Sequence, residues 1–214
     1  MNIIIFLICV IFLTAGSPAN AGDKDSLLTA LRNGDSQARM AAVKGLGKIR
    51  DEEAVGALMQ AVENRGEDWR IRAQAVKELG EVRADRTISL LIKALEDDTF
   101  THDCPALKWN AALALGNFKG YARVVDALIE AMQDRVLYVR EAAIRSLGEI
   151  GDIGAIPYLI TALEDRSFVI RINAVRALGK IGDRSAVPYL KKIAESGDDN
   201  LIKNEAVNAL KGLQ

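Results

Sequence analysis

The chain has 214 residues, half of them hydrophobic, with 28 basic and 29 acidic side chains, a formal charge of -1 and a sequence pI near 6.0. That balance excludes a disordered, strongly charged chain. It also argues against the basic footprint that a phosphate backbone usually requires, so nucleic acid is not an expected partner. Aromatic residues make up only 5%, few for a site that stacks sugars or bases.

The chain opens on Met1-Asn2 and then IIIFLICVIFL, eleven apolar residues from Ile3 to Leu13. A spanning helix needs about 18 to 20 such residues. The run is followed by Ala19-Asn20-Ala21, a small-x-small triplet of the kind that ends a secretory leader. Residues 1–21 are therefore expected to be a signal peptide cleaved after Ala21, and the mature protein, residues 22–214, to be exported to the periplasm or the extracellular space, with no stable membrane span. Two features depart from a simple leader: no Lys or Arg precedes the apolar run, and Cys9 follows Ile8, where a lipoprotein leader would place a small residue. The alternative is an uncleaved segment that tethers the chain to a membrane. Cleavage leaves Cys104 as the one cysteine, so no internal disulfide can form and stability must come from packing.

From residue 24 onward one pattern recurs. Leu46-Gly47, Leu79-Gly80, Leu115-Gly116, Leu147-Gly148 and Leu178-Gly179 are followed by a degenerate Leu210-Lys211, in steps of 33, 36, 32, 31 and 32 residues. Seven positions before each Leu stands a base (Arg39, Arg72, Lys108, Arg140, Arg171, Lys203), and four before it an alanine (Ala42, Ala75, Ala111, Ala143, Ala174, Ala206). A fixed period in the thirties is the signature of a solenoid. Val139, Ala143, Ile144, Leu147 and Ile150 fall on one helical stripe, and Ile156, Leu159, Ile160 and Leu163 on another upstream of the next copy, so each unit reads as two antiparallel helices. Pro157 and Pro188 suit the first turn of a helix, and Gly151-Asp152 and Gly182-Asp183 the turn before it. The expected units are about 24–49, 50–82, 83–118, 119–150, 151–181 and 182–214.

The stretches IGDIGAIPYLITALEDRSFVIRINAVRALGKIGD and VLYVREAAIRSLGEIGDIGAIPYL resemble HEAT repeats of the short type first named for phycobilisome lyases, and the resemblance covers nearly all of residues 24 to 214. It implies an all-α, right-handed α-α superhelix of about six helical hairpins. It does not fix an activity. In HEAT repeats the base of each unit pairs with an acid of a neighbouring turn, and Asp51, Asp85, Asp152 and Asp183 recur at such turns. The base column is thus expected to be a structural ladder. The fourth copy has Gly120 in place of the Asp, which predicts a looser junction there.

The third copy is longer and carries Thr99-Phe100-Thr101-His102-Asp103-Cys104-Pro105, with the only histidine and the only mature cysteine. A Cys-His couple can yield a thiolate. Here no third orienting group completes a site, and one His with one Cys falls short of a zinc set. Neither a metal nor a cofactor is expected. The iron-binding hydroxylases of the HEAT type need repeated His-Glu pairs, which a lone His102 cannot supply, and related DNA glycosylases need a basic groove. An enzyme or enzyme subunit related to phycobilin (chromophore) lyases, with Cys104 and His102 as candidates, is the alternative. Predicted export argues against it, since the substrates of such lyases lie inside the cell.

The second helices supply the expected binding surface. Two positions before the Leu stand Lys44, Lys77, Leu113, Arg145, Arg176 and Asn208; six before it stand Met40, Ala73, Trp109, Glu141, Ile172 and Asn204. If both columns face outward on the concave side, they form a groove with an apolar centre at Trp109 and Leu113 and bases to either side. Such a groove suits an extended peptide or protein segment with hydrophobic anchors and some acidic residues. The competing reading packs Trp109 beneath the long loop, against Phe100, as core. On this reading the protein is an exported, non-enzymatic scaffold or adaptor.

Overall fold

The structure is a computed structural model that describes residues 24–97, 105–196 and 199–213. The predicted leader, Phe100, His102 and Cys104 lie outside the described residues. Among the described residues the regular elements are twelve α-helices: α1 (Lys24–Asn33), α2 (Ser36–Ile49), α3 (Glu52–Glu63), α4 (Trp69–Val82), α5 (Ile88–Glu96), α6 (Ala106–Leu115), α7 (Ala122–Ala131), α8 (Leu137–Ile150), α9 (Ile156–Ala162), α10 (Phe168–Ile181), α11 (Val187–Glu195) and α12 (Asn200–Lys211). Each odd-numbered helix packs on the even-numbered helix that follows it. The even-numbered, second helices also pack on one another in order from α2 to α12, more extensively than the first helices do. The outcome is a two-layered repeat solenoid with one continuous apolar core.

Local chemistry sets where the helices begin and end. Asp35, Asp51, Asp68 and Asp199 accept hydrogen bonds from backbone N–H groups in the first turns of α2, α3, α4 and α12, satisfying donors that a helix N-terminus leaves without partners. Asp152 and Asp183 do the same for short 3-10 turns, Ile153–Ala155 and Arg184–Ala186, which lead into α9 and α11 with Pro157 and Pro188 in their first turns. At the C-termini of α8 and α10, Gly151 and Gly182 take φ of 78° and 77°, and their N–H groups close on Leu147 and Leu178. In the first two units arginines occupy this left-handed position, Arg50 at φ 61° and Arg83 at φ 57°.

The two most regular columns have distinct packing roles. All six column alanines are fully buried, as are the five leucines from Leu46 to Leu178. The glycine after each of those leucines faces the residue just before the Leu of the next unit. A Cβ on Gly80 would stand 2.7 Å from the Cα of Ala114, and one on Gly148 would stand 2.8 Å from the Cα of Ala177. The missing side chain is what lets successive second helices approach this closely. At the first unit the residue before the Leu is Gly45, and Leu27 of α1 lies against it, 2.8 Å from the position of an added Cβ.

Candidate binding groove on the second helices

Four of the predicted binding residues meet in one place. Lys77 on α4, Trp109 and Leu113 on α6, and Arg145 on α8 line a solvent-open groove of about 610 Å³, together with Glu81, Asn110, Asn117 and Glu149. Trp109 is 39% exposed, so its indole is available at the groove surface. Leu113 is half-buried and rests on the core. A second groove of about 590 Å³ continues across α8, α10 and α12, sharing Arg145 and adding Arg176, Lys180 and Glu205.

The remaining predicted residues are placed differently. Arg176 lies in the second groove, but its guanidinium is held by Glu205 at 2.6 Å, and Lys180 is likewise paired with Glu149. Lys44 is exposed at the α2 end of the same row. Ile172 is 5% exposed and belongs to the core, as does Ala73; Met40 is half-buried against it. The column six before the Leu therefore does not face outward throughout. Six residues turn a helix about 120° from the Leu, which puts this column at the helix shoulder, beside the neighbouring helix. Ala73 and Ile172 tuck into that seam, while Trp109 and, on the last helix, Asn204 are exposed. Among the described residues neither Lys77 nor Arg145 has an ion-pair partner, whereas Arg176 and Lys180 each have one.

In the base column Arg39 and Lys108 tie their units to the next, with partners other than the predicted ones. Arg39 grips the Glu67 carboxylate through Nε and Nη2, and Lys108 Nζ donates to Asp134 at 2.9 Å. Glu67 and Asp134 stand in the loop inside the following unit. Several bases also donate to a carbonyl just past their own first helix or at its end: Arg39 to Gly34, Arg72 to Val62, Arg140 to Asp134 and Arg171 to Asp165. Burial pushes the Arg72 guanidinium pKa down, with the charge of Asp97 opposing the shift. Lys203 is half-buried on α12. The turn aspartates are at the wrong end for this work: the bases sit in the first turn of a second helix, and a 14-residue helix carries the chain about 20 Å before the next turn. Asp51 instead caps α3 and accepts from Lys24 Nζ at 2.9 Å, and Asp152 and Asp183 accept from Gly154 and Ser185 backbone N–H groups. The nearby Asp85 carboxylate pushes the Tyr121 phenol up. The junction at Gly120 is tied by Arg123 Nη1 donating to Ser89 at 3.1 Å and Asn117 Nδ2 donating to the Gly80 carbonyl at 3.2 Å.

Several groove residues escaped the reading by columns. Glu81 and Glu149 stand two positions after the Leu, one turn beyond Lys77 and Arg145, and give the groove an acidic row beside the basic one. Outside both groove linings, Trp69 and Phe168, each 37% exposed, begin α4 and α10 one turn before the shoulder column. The same count of four residues backward from that column reaches both. Among the described residues no cluster of metal-ligating side chains occurs, and no helix is long and apolar enough to cross a membrane.

Among curated proteins none matches the chain. Among solved structures, the complex of CpcE and CpcF of phycocyanin lyase from Nostoc sp. PCC7120 is similar over 92% of this chain and 80% of that one, at 24% identity and a TM-score of 0.63. A designed armadillo repeat protein in complex with the peptide (KR)4 is similar over 90% and 100%, at 17% identity and a TM-score of 0.64. A lipovitellin structure is similar over 89% of this chain but 23% of its own, at 16% identity and a TM-score of 0.67. Identities this low speak for the fold alone. The family described as HEAT repeats matches residues 25–101, 99–167 and 137–211, and with the recurring hairpins seen above this places the chain in the HEAT-repeat family.

Proposed function

We propose that the protein is a non-enzymatic scaffold or adaptor that holds an extended segment of another protein in the groove across α4, α6 and α8. One observation carries this reading: the groove joins a large exposed aromatic, Trp109, to an apolar floor at Leu113, with two bases that have no ion-pair partner among the described residues. Buried aromatic anchors concentrate binding energy, and charges at the rim steer encounter. That the designed armadillo protein of similar fold holds a peptide is in keeping with it. Residues 1–21 make export part of the proposal; a mature protein recovered from cells should begin at Gly22, and one that still carries Ile3 to Leu13 would point to the tethered form.

The test is selection of peptides from a random display library on the immobilised protein. Selected peptides should bind wild type and lose at least tenfold in affinity against Trp109→Ala, while the thermal midpoint of the variant stays within a few degrees of wild type. Peptides that bind both forms equally would remove the groove from the account. A variant that unfolds at much lower temperature would return Trp109 to the core.

A further inference from the structure

The order of charges along the groove points to the chemistry of its occupant, an inference that rests on the groove reading above. Two positions before each Leu the second helices carry Lys44, Lys77, Leu113, Arg145, Arg176 and Asn208, a row without an acid. The acids lining the two grooves stand in other rows: Glu81 and Glu149 one turn to one side, Glu141 one turn to the other, and Glu205 beside Arg176. A ligand stretched along the solenoid samples one row, because a side-chain carboxylate reaches only a few ångströms. It meets base, base, apolar floor, base. The last base of the row, Arg176, is already held by Glu205, so ligand charge is wanted on Lys44, Lys77 and Arg145 and is less useful beyond.

Packed helices lie about 8 to 10 Å apart, and an extended chain advances about 3.3 Å per residue, so one unit corresponds to about three ligand residues. We infer that the occupant is an acidic extended peptide in which a bulky apolar residue is flanked about three residues to either side by Asp or Glu, with a further acid about three residues out on the Lys44 side. The apolar residue sits between Trp109 and Leu113, and its flanking carboxylates meet Lys77 and Arg145. A nucleobase can stack on an exposed indole, but the net charge of -1 gives nucleic acid no general attraction.

The experiment titrates the full chain into fluorescein-labelled peptides and reads anisotropy. The matched peptide has Phe flanked by Glu at three residues to each side in a Gly-Ser background; its partners replace both Glu by Gln, replace both by Lys, or move them next to Phe. The matched peptide should bind at least tenfold tighter than each of the three, and Arg145→Gln should erase most of its advantage over the Gln form. Equal binding of all four, each still weakened by Trp109→Ala, would overturn the acidic register and leave the groove standing. Binding that ignores Trp109→Ala, or no saturable binding by any peptide, would overturn both. Competition by a single-stranded oligothymidine as strong as by the matched peptide would show a generic anion site and likewise overturn the register.

Discussion

At the scale of single residues, the base column shows how a solenoid spends its charges. Lys108 and Asp134 are 13% and 9% exposed and bridge two units at 2.9 Å. Removing one partner of such a pair strands the other in a poorly solvated place. Lys108→Ala is therefore expected to lower stability by about 3 kcal/mol in urea unfolding, and an effect below about 0.5 kcal/mol would class the pair with exposed ones. Arg50 makes the opposite case. A non-glycine residue in the left-handed region costs about 1 to 2 kcal/mol, and glycine returns about 0.5 to 1 of that through the unfolded chain. Arg50→Gly should then raise the unfolding midpoint slightly, a change open to calorimetry. The base column was legible in the sequence because its spacing from the Leu never varies. Its partners were not: Glu67 follows Arg39 by 28 residues and Asp134 follows Lys108 by 26, so a search by fixed offset settles on the regular turn aspartates instead.

At the scale of helices and their junctions, the glycine after each Leu governs how closely neighbours stack. A methyl on Gly80 or Gly148 meets backbone atoms of the next second helix, which cannot swing away, whereas a methyl on Gly45 meets the tip of Leu27, which can. Gly80→Ala and Gly148→Ala are expected to cost about 1 to 3 kcal/mol and Gly45→Ala clearly less, compared by denaturant midpoints at equal slope. Equal losses at all three would mean that the second helices do not stack as described. The helix caps add a pH dependence. The Ala54 backbone N–H, followed by Lys24, holds the Asp51 carboxyl below the usual carboxylate range, and the hydroxyl and N–H of Ser185 do the same for Asp183. A folded-state pKa below the unfolded one gives stability that is present at neutral pH and lost as pH falls past about 4. Thermal midpoints should stay level from pH 7 to 5 and then drop, with a shallower drop in Asp51→Asn. Helix number, order and facing were readable from the 3.6-residue stripes. What the glycines do was not, since the residue each one meets changes identity from Glu78 to Ala114, Ser146, Ala177 and Ala209.

At the scale of the whole molecule, a stack in which each unit leans only on its neighbours is most stable in the middle and frays at its ends. Hydrogen exchange should be slowest in α6, α8 and α10 and fastest in α1 and α12. Uniform protection would signal one indivisible globule. The groove, too, belongs to this scale, because its walls come from three separate units. The columns picked out Trp109 and Leu113, which both line it, since outward positions on a regular helix can be counted. They misplaced Ile172, because its position lies at the helix shoulder, about 120° from the Leu and beside the neighbouring helix. The central claim is that ligands seat against Trp109, and the chain has two tryptophans, Trp69 and Trp109. In a Trp69→Phe protein the emission comes from Trp109 alone. It should shift to shorter wavelength, saturably, as the indole leaves water, with the same midpoint that anisotropy gives for a selected peptide. Emission that stays unchanged while anisotropy saturates would contradict the account.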